Sequence, residues 1–110
     1  MSRVVFLLVP GLHLLDLAWP AQVFASAADF GFDYQVDYVG EHDTIPTAQG
    51  LVVNAEPSLP ALTGADLIVV PGWRARTGLI DTGPLAPDTL AWLRGHHAAG
   101  GTIMSVCAGA

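Results

Sequence analysis

The sequence predicts one α/β domain built on a mainly parallel sheet. Three observations carry that prediction. Residues 4–9 and 67–70 are uninterrupted apolar runs, each closed by a Pro-Gly pair, the form of strands covered on both faces. Two segments with helical spacing separate the strand-like ones, as crossover connections require. Finally, 52% of the 110 residues are apolar and only 13% charged, which suits one domain with a real core.

The elements follow in order. Residues 4–9 read Val-Val-Phe-Leu-Leu-Val and stop at Pro10-Gly11. Six apolar residues behind one arginine are too few for a bilayer span or a signal peptide, so the run is a buried strand. From Leu17, the residues Leu17, Ala21, Phe24 and Ala28 fall on one helical face. That start places Pro20 in the first turn, where its missing N–H costs little. Residues 33–39 alternate, with Tyr34, Val36 and Tyr38 against Asp33, Gln35 and Asp37, a half-buried strand near a sheet edge. Residues 44–54 form a hairpin around Gln49-Gly50. After the strand at 67–70, residues 73–86 carry Gly78, Gly83 and Pro84 and read as a loop. Pro87-Asp88 open a second helix, with Leu90, Leu93 and His97 on one face and Trp92 off that stripe. Gly100-Gly101 stop it, and residues 102–106 form the last strand.

Charge excludes some functions. Four basic against ten acidic residues give a net charge of −6, with no lysine, so this chain makes a poor nucleic-acid binder by itself. One cysteine excludes an intrachain disulfide and an all-cysteine zinc site, and no His/Asp/Glu spacing matches a metal site. Neither a metal nor a cofactor is expected. A lone cysteine fits a reducing compartment, and the cytoplasm is the expected location.

Right-handed crossovers put helices on both faces of such a sheet and ligand chemistry at its carboxyl ends. Residues 10–16, 71–76 and 107–110 reach that edge. Cys107 directly follows the last strand and precedes Ala108-Gly109-Ala110, small neighbours that a strained nucleophile elbow demands. A buried structural cysteine is the plainer alternative. Asp16 is either a helix N-cap or a carboxyl group facing the thiol. Pro71-Gly72 can offer a backbone N–H to an oxyanion. His13 is an exposed loop histidine or a base for Cys107; Arg74 and Arg76 are solvated or hold an anion. Trp19 and Trp73 pack or line the pocket.

Three strings carry a resemblance: Leu15-Asp16-Leu17-Ala18-Trp19-Pro20-Ala21-Gln22-Val23-Phe24, then Leu67-Ile68-Val69-Val70-Pro71-Gly72-Trp73, then Ser105-Val106-Cys107-Ala108-Gly109-Ala110. Together they resemble the ThiJ/PfpI family of the class I glutamine-amidotransferase-like superfamily, in the right order over essentially the whole chain. The resemblance implies a flavodoxin-like three-layer sandwich. Two subgroups are most similar: the N-terminal sensor domain of AraC-type transcriptional regulators and the isonitrile-hydratase-like enzymes. The Val-Pro-Gly-Trp-Arg string resembles the regulators more.

By this resemblance Cys107 matches the elbow cysteine and Asp16 the acidic residue that approaches it. Gly72 and Ala108 supply pocket-facing N–H groups; Trp73 and His13, from their places on the carboxyl-end segments rather than from the resemblance, are expected to border the ligand. Trp73 stands where many enzymes of the family have a second glycine, which narrows the pocket. The family's histidine lies beyond the elbow, past Ala110. An elbow needs a helix after it and only three residues follow, so residues 1–110 are expected to be the N-terminal portion of a longer protein. The expected function is small-molecule sensing for a transcriptional regulator, as a homodimer, with DNA bound only through a domain outside this chain and no membrane contact. A cysteine-dependent hydrolase or isonitrile-hydratase-like enzyme is the alternative.

Overall fold

The computed structural model describes residues 3–74 and 85–106. Its strands and helices run β1 (Arg3–Leu7), α1 (Leu14–Ser26), β2 (Gln35–Val39), β3 (Thr44–Pro46), β4 (Val52–Asn54), β5 (Leu67–Val70), α2 (Pro87–Ala98) and β6 (Thr102–Ser105), with a 3₁₀ turn at Ala27–Phe30 after α1. Four strands form one sheet in the order β2-β1-β5-β6, every pair parallel. The register sets Val4 beside both Val36 and Leu67, and Leu67 beside Thr102. β3 and β4 form the antiparallel hairpin that the sequence predicts around Gln49-Gly50.

The apolar run of residues 4–9 explains the layering. Strand side chains alternate between faces. Val4, Phe6 and Leu8 enter one core with Leu14, Leu17, Ala21 and Phe24 of α1. Val5, Leu7 and Val9 enter the other with Trp92 and Leu93 of α2. All six are buried, and each contributes roughly 1.5–3 kcal/mol by leaving water. The result is a three-layer α/β sandwich with β1 at its centre. β2 is an edge strand; Tyr38 stacks on Phe6 at 5.3 Å between ring centroids, while Asp37 pairs with Arg3 at 2.9 Å. Among the described residues no helix is long and apolar enough to cross a membrane.

Both helices depart from expectation. α1 begins at Leu14, not Leu17, so Asp16 is its third residue and Pro20 its seventh. Pro20 is therefore an interior, buried proline that cannot donate to the Asp16 carbonyl. Ala28 falls in the 3₁₀ turn and is exposed. The N-cap is His13, which makes no side-chain capping bond; the Leu14 N–H is held instead by Gln49 Oε1 at 2.9 Å. In α2 the inward face is Thr89, Trp92, Leu93 and His96, and His97 is exposed. Long-range partners select that face. Trp92 Nε1 donates to the Pro60 carbonyl at 2.8 Å, and buried His96 Nε2 bonds the Asp66 carbonyl at 3.0 Å. The Thr89 hydroxyl donates to Glu41 Oε2 at 2.6 Å.

Candidate functional site

In the order β2-β1-β5-β6 the chain leaves β1 toward one edge and β5 toward the other. The switch point lies at the carboxyl ends of β1 and β5, where open parallel sheets place their ligands. The two loops there are fastened together. His13 N–H donates to the Gly72 carbonyl at 2.8 Å and Arg74 N–H to the Gly11 carbonyl at 2.9 Å, which bridges Leu12 to Trp73. The hairpin joins from the other side: Gly11 N–H donates to the Pro46 carbonyl and Ala48 N–H to the Leu12 carbonyl, both at 2.8 Å. Gly11 sits at φ +82°, where a side chain is strained, and this turn lets the loop meet both neighbours.

α1 starts directly from this loop and sets Asp16 at its first turn. Asp16 Oδ2 is buried and has no hydrogen-bond partner among the described residues. A negative group is favoured at a helix N-terminus by roughly 0.3–1 kcal/mol. A buried acceptor without a partner costs about 1–3 kcal/mol. The unfavourable term is the larger, so the described residues do not account for this carboxyl group by local stability. Beside it opens a cleft of ≈ 510 Å³ lined by His13, Leu14, Leu15, Asp16 and Gln49.

The structure brings His13 and Asp16 together in the cleft. Gly72 and Trp73 lie behind it, hydrogen-bonded to or bridged with the loop that carries His13. Gly72 is buried, and no acceptor for its N–H lies among the described residues. Trp19 does not line the cleft; it is half exposed on α1. Arg74 is exposed. Cys107, Ala108 and Arg76 lie outside the described residues. Val106 N–H still bonds the Val70 carbonyl at 3.1 Å, so β6 stays paired to β5 up to the residue before Cys107. Among the described residues no cluster of three metal-ligating side chains occurs.

Sequence reasoning missed Gln49. Its Oε1 accepts the Leu14 N–H, and its Nε2 lies 3.4 Å from His13 Nδ1. A long polar side chain at a Gln-Gly turn was the available signal; its destination, 35 residues back in the chain, was not.

No family model matches the chain. An uncharacterized protein in the cpoL 5′ region of Streptomyces lividans is 35% identical over 109 residues, covering 98% of this chain and 74% of that protein. The chain belongs to that protein's family and has the ThiJ/PfpI fold. An AraC family transcriptional regulator from Pseudomonas putida superposes with a TM-score of 0.74 at 22% identity, over 96% of this chain and 64% of that one. DJ-1beta from Drosophila melanogaster superposes with a TM-score of 0.73 at 19% identity, over 99% of this chain and 57% of that one. The ThiJ/PfpI-fold chain thus spans less than two thirds of either solved protein.

Proposed function

We propose that this ThiJ/PfpI-fold chain is the small-molecule-sensing domain of a transcriptional regulator. The ligand sits at the edge formed by His13, Asp16 and the loop Gly72-Trp73. DNA is contacted through a domain outside these residues, and the chains pair as homodimers. The observation that carries the reading is the Asp16 carboxyl, which lines an open cleft and whose buried Oδ2 has no partner among the described residues. Such a group is explained by a ligand donor that completes it. Likeness to the Pseudomonas putida regulator supports the regulatory setting. The net charge of −6 supports placing DNA contact elsewhere. Leu15, Trp19 and Val23, spaced four apart on α1 and each at least half exposed, support pairing through that helix.

The test is DNA-binding anisotropy of the full-length protein on its own upstream region, with a panel of small amides, amines and carboxylates. The reading expects a compound that shifts DNA affinity, with the shift lost in Asp16→Ala. A full-length protein with no DNA affinity would overturn it.

One observation favours the enzyme reading. The β5–β6 pairing runs to Val106 at the carboxyl end of the sheet, and Cys107 is the next residue in sequence. Turnover of a panel compound that Cys107→Ser abolishes would establish that alternative.

A further inference from the structure

We infer that Gln49 is a positioning residue: it fixes His13 as an Nε2–H donor beside Asp16, so the cleft selects a ligand with adjacent donor and acceptor atoms. The inference rests on the sensing reading for the ligand, but not for the histidine.

Leu14 N–H is one of the unpaired donors of the first helical turn, and it points at Gln49 Oε1 at 2.9 Å. An N–H can face only the oxygen of a carboxamide. The Gln49 amide therefore has one orientation, with its nitrogen on the His13 side. Nε2 carries only donors, and the ring atom it meets at 3.4 Å is His13 Nδ1. A contact between a donor and a ring nitrogen requires the lone pair on that nitrogen. The proton of neutral His13 is thereby placed on Nε2, the nitrogen on the far side of the ring from Gln49.

His13 is the N-cap of α1 and Asp16 its third residue. Both line the cleft. The cleft is thus lined by one donor, His13 with its proton on Nε2, and one acceptor group, the Asp16 carboxyl. Leu14 and Leu15 supply apolar wall. A primary carboxamide satisfies both polar groups at once, with its NH₂ on Asp16 and its carbonyl oxygen on His13. A carboxylate sets acceptor against acceptor at Asp16. An ammonium ion leaves the His13 N–H without an acceptor. Sites built around such complementary pairs reject analogues that leave one member unpaired.

Two measurements test this, both on the full-length protein. The first is a long-range ¹H–¹⁵N spectrum of His13 in its neutral form, without ligand. The wild type is expected to show Nδ1 unprotonated and Nε2 protonated. Gln49→Glu keeps an oxygen for Leu14 and turns a second acceptor toward Nδ1, so the proton moves to Nδ1. Gln49→Met removes both partners and leaves a mixture. An Nδ1–H tautomer in the wild type, or a tautomer indifferent to both substitutions, overturns the positioning role. The second is binding of butyramide, butyrate and butylammonium followed by amide shifts at residues 13–16. Butyramide is expected to bind about tenfold or more tighter than the other two, and Gln49→Glu to erase that preference. Equal binding of all three overturns the ligand class. The tautomer measurement needs neither ligand nor DNA, so failure of the sensing reading alone leaves its outcome unchanged.

Discussion

Removing the Glu41 carboxylate should detach the start of α2. Glu41 Oε2 accepts from the Ala86 N–H at 2.7 Å and from the Thr89 hydroxyl at 2.6 Å. Ala86 is the N-cap of α2 and makes no side-chain capping bond of its own, so Glu41 replaces the missing cap. The two bonds differ in worth. The Ala86 N–H is exposed, and water replaces Glu41 there at a cost of about 0.5–1 kcal/mol. Thr89 is only 3% exposed, and stranding its hydroxyl adds roughly 1–1.5 kcal/mol. Glu41→Ala should therefore cost about 2 kcal/mol. Glu41→Gln keeps an acceptor without the charge and should cost about half as much. Urea unfolding reads the difference, with a midpoint lowered by about 1 M at an m-value of about 2 kcal/mol/M. In a Thr89→Val background, Glu41→Ala should cost only the capping part. A loss below about 0.5 kcal/mol in the wild-type background, or an undiminished loss in the Thr89→Val background, would refute the reasoning.

Three other outcomes follow from the same structure. A Cβ on Gly101 would meet the His96 ring at 2.3 Å, so Gly101→Ala must push that ring off the Asp66 carbonyl and should cost about 2 kcal/mol in urea unfolding; in a His96→Ala background the substitution should be nearly neutral. Buried Asp66 is held below the usual carboxylate range by the Thr63 N–H, the Arg3 N–H and then the Thr63 hydroxyl, which outweigh the opposing effect of burial. Its depressed value makes it stabilising above the unfolded-state pKa, with that contribution lost as pH falls through the folded one. Unfolding stability of the wild type should thus decline on acidification below about pH 4, more steeply than that of Asp66→Asn. Asp16→Ala removes the buried Oδ2 and should raise stability in urea unfolding by about 1 kcal/mol, because an acceptor without a partner among the described residues costs more than the helix-terminus interaction gains, while weakening any ligand. A destabilised Asp16→Ala would point to a structural partner for that oxygen.

The sheet was legible because its signals are local. Six consecutive apolar residues could only be a strand with two covered faces, and the Pro-Gly stops marked the carboxyl edge where His13 and Asp16 now line a cleft. The helices were less legible because their boundaries are set from a distance. His13-Leu14-Leu15 contains no capping side chain, so the helical pattern was read from Leu17, and Asp16 resembled a cap. In α2, Thr89 and His96 counted as outward polar residues. They are buried because Glu41 and the Asp66 carbonyl satisfy them, partners 48 and 30 residues away. Gln49 was invisible for the same reason: it reaches the site from the long connection after β2, which the sequence marks only as a hairpin.

Both helix caps come from one short stretch of chain, Glu41 for α2 and Gln49 for α1. The two helices lie on opposite faces of the sheet and share no sequence neighbourhood. Residues 41–49 thus act as a clasp around its carboxyl end. Opening the clasp releases the first turn of both helices in a single event. Amide protons at the starts of α1 and α2 should therefore exchange with solvent at a common rate, as one cooperative unit. Neither helix start can form early in folding, because each waits for the hairpin to dock.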